Sequence, residues 1–162
     1  MSSFNRRLFL LSGAALAGCG FTPAYGPGGA AAKLQNAVLV DEPDSRPGYL
    51  LTRRFEERLG RAESGRYALS YSILITENAI AISSNNVITR YHMLGKVTSA
   101  LRDIDTDRVL TSGKADSFTS YSASGTTVAT QAAKRDAEAR LMTILTDMII
   151  TRLTAEAATL PA

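Results

Sequence analysis

The chain has 162 residues, of which 45% are hydrophobic and 20% charged, and its net charge is +3. These values are typical of one globular domain, and they exclude a disordered or repetitive chain and the dense positive charge of a nucleic-acid binder. With one cysteine and one histidine, the chain cannot form an internal disulfide framework, and a zinc site of Cys and His ligands is disfavoured.

Residues 1–18 have the three-part pattern of an export signal. Arg6 and Arg7 supply a positive start, and the uncharged residues 8–18 follow, a run well short of the roughly 20 residues that cross a membrane. The alternative, a buried N-terminal helix, does not explain why a charged start, a short apolar run and small residues occur together. The arginine pair also resembles a twin-arginine signal for folded export, although a simple positive start is the commoner reason for such a pair.

The end of this run is similar to a lipobox, the processing signal of bacterial lipoproteins. Leu16, Ala17 and Gly18 precede Cys19, which implies cleavage before Cys19, a diacylglycerol on its thiol and an acyl chain on its new amino group. An ordinary export signal is the alternative, but it would leave an unpaired thiol in an oxidising compartment. Several acyl chains anchor a protein stably, and Gly20 rather than Asp after the cysteine favours the outer membrane.

These features divide the chain into three parts. We expect a lipoprotein signal peptide over residues 1–18, an acylated cysteine with a flexible Gly/Ala/Pro-rich tether over residues 19–33, and one domain over residues 34–162. Removing the signal removes both of its arginines, so the mature chain is nearly neutral.

The domain begins with a strand and a helix. Alternating side chains predict a strand over residues 34–40. A helix begins near Pro47, which is tolerated in a first turn, and an apolar stripe recurs every four residues at Leu51, Phe55 and Leu59. Gly60 is placed to end this helix with a positive φ.

Three strands follow. The first covers residues 67–76, after which the alternation changes near Glu77 and Asn78 and predicts a bulge. A turn over residues 83–86 leads to a long strand from residue 87 to about 102. An Asp-rich turn over residues 103–107 leads to a strand over 108–121, in which Gly113 indicates a bulge or a close approach.

A long amphipathic helix over residues 127–158 ends the chain. The order β-α-β-β-β-α predicts an α+β fold in which two helices pack on one face of a four-stranded mixed sheet. The apolar positions that we expect this helix to bury are Val128, Ala132, Ala133, Ala137, Leu141, Ile144, Leu145, Met148, Ile149 and Leu153.

The sequence offers little catalytic chemistry. His92 lies alone in the middle of a strand, and Glu56 and Glu57 are neighbours on a helix, where they point in different directions. There is no Gly-x-Ser-x-Gly elbow and no phosphate-binding loop. We therefore expect no enzyme, no metal and no cofactor beyond the covalent lipid; a solitary hydrolase would need a catalytic group that the motifs do not supply.

One row of cations remains. Arg90, His92, Lys96 and Arg102 occupy even positions of the strand over residues 87–102 and therefore share a face. Such a row suits an anionic partner, because Arg can bind a phosphate with two hydrogen bonds. A solvated outer face of a one-sided sheet is the commoner reason for this pattern.

The mature N-terminus carries a family resemblance. Residues 19–26 read Cys-Gly-Phe-Thr-Pro-Ala-Tyr-Gly and resemble the start of the LptE family of lipopolysaccharide-assembly lipoproteins, in which a larger apolar residue often replaces Ala24. The short strand, arginine-rich helix, long β region and C-terminal helix are similar in outline. The arginine pair together with this opening resembles the alphaproteobacterial members.

The resemblance implies a non-catalytic role at the outer membrane. Such proteins plug a large LptD-type β-barrel, help it assemble and deliver lipopolysaccharide to the outer leaflet, and basic residues of their sheet bind lipopolysaccharide itself. From the cation row and the following strand, the candidates for that contact are Arg90, Lys96 and Lys114. The alternative is a periplasm-facing lipoprotein that activates a cell-wall synthase or serves as an auxiliary subunit of a lipid transporter. We expect no nucleic-acid partner.

Overall fold

The fold follows the predicted order of elements. The computed structural model describes residue 26 and residues 29–82 and 85–160, so the predicted signal peptide and the predicted lipidation site Cys19 lie outside the described residues. Two 3-10 helices, Ala30–Leu34 and Ala157–Thr159, flank the larger elements. These elements are β1 (Val38–Val40), α1 (Arg46–Leu59), β2 (Tyr67–Ile82), β3 (Ile88–Asp103), β4 (Val109–Ser122) and α2 (Thr127–Glu156).

The four strands form one mixed sheet in the order β1-β2-β3-β4. β1 runs parallel to β2, and the other two pairs are antiparallel. Odd-numbered residues face both helices: Tyr71 of β2 shares a hydrogen bond with Thr52 of α1, and Thr119 of β4 donates to the carbonyl of Ala137 in α2. This arrangement confirms the prediction of an α+β fold with two helices on one face of the sheet.

Local chemistry explains the bounds of α1. The Ser45 hydroxyl accepts a hydrogen bond from the Gly48 amide at 3.2 Å, and Pro47 lies in the first turn. Gly60 ends the helix with a φ of 80°, as predicted. The predicted stripe is buried, with Leu51, Phe55 and Leu59 all at most 2% exposed.

The predicted strand over residues 34–40 is wrong in its first half. Ala30–Leu34 forms a 3-10 helix, Asn36 adopts a φ of 53°, and only Val38–Val40 pairs with β2. The 3-10 helix is held by tertiary packing: Ala31 and Leu34 are fully buried, and the Lys33 ammonium donates to the Leu160 carbonyl at 2.7 Å. Packed structure therefore begins before residue 34.

The bulge in β2 lies farther along the strand than predicted. Regular pairing with β3 continues through Ala79, and the register shifts between Ala79 and Ala81 and between Ala81 and Ile82. The reason is Glu77, whose carboxylate is held on the helix side by Lys134 and Tyr121. Polar partners keep Glu77 on the buried face and extend the alternation past it.

The apolar face of α2 also differs from the prediction. Val128, Ile144 and Met148 are 80%, 40% and 45% exposed, and Ala132 is exposed as well. The core is contacted by two rows at spacings of four residues, which places Ile144 and Met148 on the flank. The buried residues of the helix are Ala137, Leu141, Met142, Leu145, Thr146, Ile149, Ile150 and Leu153.

Candidate functional site on the uncovered face of the sheet

The outer face of the sheet is left uncovered by both helices. Even-numbered residues of β2, β3 and β4 point away from both helices, because side chains alternate along a strand. Hydroxyl groups are common on this face. The clearly exposed ones belong to Ser72, Thr76, Thr98, Ser112 and Ser122.

Two of the predicted cations come together on this face. Lys96 of β3 lies opposite Asp116 of β4, and Lys114 lies opposite Thr98, two residues along. The two lysines are therefore diagonal neighbours on adjacent strands, a spacing of about 7–8 Å between residues. Both are exposed, and neither forms an ion pair within residues 29–82 and 85–160. They are free to meet an anion.

The other predicted cations share the face but lie elsewhere on it. Arg90 pairs with Ser122 next to the β2–β3 turn, six residues and about 20 Å from Lys96. His92 lies against Phe118, with ring centroids 5.1 Å apart. Arg102 bonds to Asp107 at 3.2 Å at the opposite end of β3. Of Arg90, Lys96 and Lys114, the structure thus brings the two lysines together and leaves Arg90 apart.

An apolar patch borders the lysine pair, and the sequence prediction did not include it. Leu74, Leu94 and Phe118 are 63%, 41% and 61% exposed. Leu94 lies opposite Phe118, and Leu74 lies opposite Lys96. Together with Lys96 and Asp116 they line a shallow depression of about 630 Å³. The signal was present in the sequence, since these are apolar residues at the even positions that the alternation assigns to solvent.

On the helix side of the sheet, a polar cluster connects β2 and β4 to α2. Glu77 of β2 accepts from Lys134 of α2 at 2.7 Å and from the Tyr121 hydroxyl of β4 at 2.8 Å. Burial opposes the charge of Glu77, but the hydrogen bonds from Lys134 and Tyr121 outweigh it and lower the pKa of this carboxyl. Burial, followed by the hydrogen bond to Glu77, raises the pKa of Tyr121, whose ring stacks on Tyr91 at 5.3 Å.

Among the described residues, no group of three or more His, Cys, Asp and Glu side chains is placed to hold a metal ion. No helix in the described part of the chain is long and apolar enough to cross a membrane.

Comparison with known families identifies the relationship. Residues 35–153 match the family model of LptE, the lipopolysaccharide-assembly proteins. The chain belongs to the LptE family. The resemblance seen at residues 19–26 is therefore confirmed by an independent stretch of sequence, and membership places the protein in lipopolysaccharide assembly. No curated protein sequence matches the chain.

Solved structures share the LptE-like fold at low sequence identity. A protein described as a lipoprotein from Caulobacter crescentus has a TM-score of 0.68 at 20% identity, with 82% of this chain and 98% of that one covered. The rare lipoprotein B from Shewanella oneidensis has a TM-score of 0.59 at 9% identity, covering 76% and 96%. An uncharacterized lipoprotein B from Nitrosomonas europaea has a TM-score of 0.57 at 12% identity, covering 75% and 84%.

Proposed function

We propose that this LptE-family protein is a lipid-anchored subunit of the outer-membrane lipopolysaccharide translocon. In this role it plugs a large LptD-type β-barrel from the periplasmic side, helps the barrel assemble and assists delivery of lipopolysaccharide to the outer leaflet. The role requires no catalysis by this chain. Family membership supports the general assignment to lipopolysaccharide assembly, and the surface of the sheet supports the finer one.

The observation that carries the plug proposal is the uncovered, hydroxyl-rich face of the sheet. The lumen of a large outer-membrane barrel is polar and wet. Ser72, Thr98 and Ser112 are exposed on this face, and their hydroxyls can both donate and accept hydrogen bonds across a wet interface. A nearly neutral mature chain carries little charge into such a lumen.

The lysine pair and the apolar patch support direct contact with lipopolysaccharide. This ligand combines phosphate groups with acyl chains, and the face combines cations with exposed apolar side chains. Lys96 and Lys114 can bind phosphate oxygens through charge-assisted hydrogen bonds, and Leu94 and Phe118 lie beside them to receive a hydrocarbon segment. Arg90 remains a candidate for a second contact about 20 Å away along β3.

The anchor belongs to the same proposal. Residues 1–18 are removed, Cys19 carries the diacylglycerol and N-acyl chains, and Gly20 directs the protein to the outer membrane. Packed structure starts at residues 29–34, which leaves about ten residues between Cys19 and the fold. Fully extended, such a tether reaches at most about 35 Å, so the fold stays close to the membrane that holds the lipid.

The deciding experiment is a pull-down of the tagged lipoprotein from detergent-solubilised envelopes, with mass spectrometry of the proteins that remain bound. We expect a large outer-membrane β-barrel protein in near-stoichiometric amount. Recovery of a peptidoglycan synthase or an inner-membrane transporter without a barrel would overturn the plug assignment in favour of an activator or auxiliary subunit. Mass spectrometry of the mature N-terminal peptide tests the acylation of Cys19 in the same sample.

A further inference from the structure

The long side of β2 that faces away from β3 is paired over only part of its length. β1 covers its start, where the Tyr67 amide donates to the Ala37 carbonyl and the Asp41 amide donates to the Leu69 carbonyl. The main-chain groups of odd-numbered β2 residues therefore point to this side. From Tyr71 to Ala79 the pairing with β3 is regular, and no described residue bonds to the main chain of these odd positions on the free side.

Over residues 68–76 this free edge lacks the features that normally protect edge strands, and only beyond them do Glu77, a charge that points inward, and the bulge after Ala79 supply such protection. Proteins place charges, prolines or bulges on exposed edges to prevent strand addition. Residues 68–76 of β2 contain no charge, no proline and no glycine. The next residue, Glu77, is held by Lys134 and Tyr121 on the helix side. The opposite edge of the sheet, β4, is different because it carries Gly113, Lys114 and Asp116 at its middle.

We propose that the free edge of β2 pairs with the same edge of a second copy of this chain, antiparallel and around a two-fold axis at Ile75. The two ends of the free edge determine this register. β1 and Asp41 occupy the edge up to Leu69, and the bulge interrupts the regular strand after Ala79. Centring on Ile75 pairs Tyr71 with Ala79 of the other copy and uses the whole regular stretch. About ten main-chain hydrogen bonds then form, two for each hydrogen-bonded pair.

Side chains are compatible with this register. Glu77 falls opposite Ile73 of the other copy, so no like charges meet. On the outer face, Leu74 falls opposite Thr76, and the patch around Leu74, Leu94 and Phe118 continues across the seam into its symmetry mate. The proposal goes beyond the plug function and does not depend on it, because it concerns copies of the lipoprotein that have no barrel bound.

Cysteine pairing tests the register directly. Leu74 and Thr76 form the non-hydrogen-bonded pair next to the axis, where Cα atoms lie about 4.5 Å apart, within disulfide range. Mature lipoprotein carrying L74C is mixed with lipoprotein carrying T76C in detergent and oxidised. We expect at least fivefold more disulfide dimer in the mixture than in either variant alone, because the L74C–L74C contact is a longer diagonal.

Two controls complete the test. S112C mixed with S120C examines the charged edge of β4 about an axis at Asp116, and we expect no enrichment there. Ile75→Pro removes an amide that points to the free edge, so it should abolish the dimer in light scattering while the circular dichroism melt remains cooperative. If that variant fails to fold, the cysteine mixtures still decide. Equal dimer yields from the β2 and β4 pairs, or a single copy per micelle throughout, would overturn the proposal.

Discussion

At the residue scale, Lys96 and Lys114 owe their relation to strand register. They are 18 positions apart in the chain, and the pairing of Thr98 with Lys114 makes them neighbours. The charges lack an intramolecular partner within residues 29–82 and 85–160. Asp116 lies directly opposite Lys96 and offsets part of this positive charge, but the cluster of two lysines and one aspartate keeps a net positive charge that favours an anionic ligand.

Replacing both lysines should weaken lipopolysaccharide binding. We expect the K96Q/K114Q double variant to bind labelled lipopolysaccharide at least tenfold more weakly, since a hydrogen bond to a charged group contributes about 1.5–3 kcal/mol. Binding isotherms at two salt concentrations measure this. Arg135→Gln, an exposed cation on the helix side, is the matched control. An unchanged dissociation constant in the double variant would show that these lysines do not contact the ligand.

Two glycines of the sheet differ in what a methyl group would meet. At Gly95, an added Cβ would lie 2.8 Å from Leu145 and 2.9 Å from Leu141, both in the core. At Gly113 it would lie 2.3 Å from the guanidinium of Arg152, the mobile end of a half-exposed side chain. Gly95 therefore allows the close approach of α2 to the sheet.

The two alanine variants should therefore differ in stability. We expect Gly95→Ala to lower the free energy of unfolding by about 1–3 kcal/mol through overpacking. Gly113→Ala should lower it by less than about 1 kcal/mol, because Arg152 can turn aside. Urea denaturation of both variants measures the difference. Equal losses would mean that α2 shifts freely over Gly95 and that the packing there is not tight.

At the element scale, α2 is joined to the sheet by different chemistry along its length. Its second half buries Leu145, Ile149 and Leu153, while its first half lies over polar partners. The Glu77, Tyr121 and Lys134 cluster joins β2, β4 and α2 at a point where few apolar side chains are buried. Charge-assisted hydrogen bonds replace the missing hydrophobic contact.

Glu77→Gln should destabilise the protein in a pH-dependent way. The pKa of Glu77 is lowered in the folded state, so its stabilisation is present above its unfolded pKa of about 4.3 and is lost as the pH falls through the folded pKa. We expect E77Q to lose about 1 kcal/mol at pH 7, and the gap to wild type should close as the pH falls below about 4. Urea titrations across that range measure it. A constant gap would mean that the charge of Glu77 contributes nothing.

At the scale of the whole molecule, the fold begins and ends at one pole. The 3-10 helices Ala30–Leu34 and Ala157–Thr159 pack together there, next to the start of β2 and the end of α2. The β2–β3 turn lies at the other pole, about 50 Å away along a strand of 16 residues. The chain therefore enters the domain at the pole opposite this turn, and the proposed lipid tether belongs to that pole.

Leu34 should be important for fixing the pole at which the chain enters the domain. It is fully buried at the end of the first 3-10 helix, so Leu34→Ala should cost about 2–5 kcal/mol through lost burial and a cavity. Leu74→Ala is the matched control, because Leu74 is 63% exposed, and we expect it to change stability by less than about 1 kcal/mol. Thermal and urea unfolding of both variants check this. Similar small losses would show that the N-terminal 3-10 helix is not docked as described.

Sequence alone determined the order of the elements, because that order depends on local periodicity. Helix α1 is predicted by the apolar stripe at Leu51, Phe55 and Leu59 and by Gly60 at its end. These signals are local and do not depend on the elements that pack against the helix. The alternation of β3 likewise separates Met93, Val97 and Leu101 from the cations on the opposite face. Cys19 and its lipobox belong to the same local kind of signal, and they remain a prediction.

Only the tertiary structure decided where packing between distant segments overrides these local sequence patterns. Ala30–Leu34 turns helical because it docks on the end of α2, and Glu77 stays on the buried face because Lys134 and Tyr121 bind it. The pairing of Lys96 with Lys114 and the patch at Leu74, Leu94 and Phe118 depend on strand register. Local periodicity tells which face a residue occupies, whereas register and packing between distant segments decide which residues become neighbours.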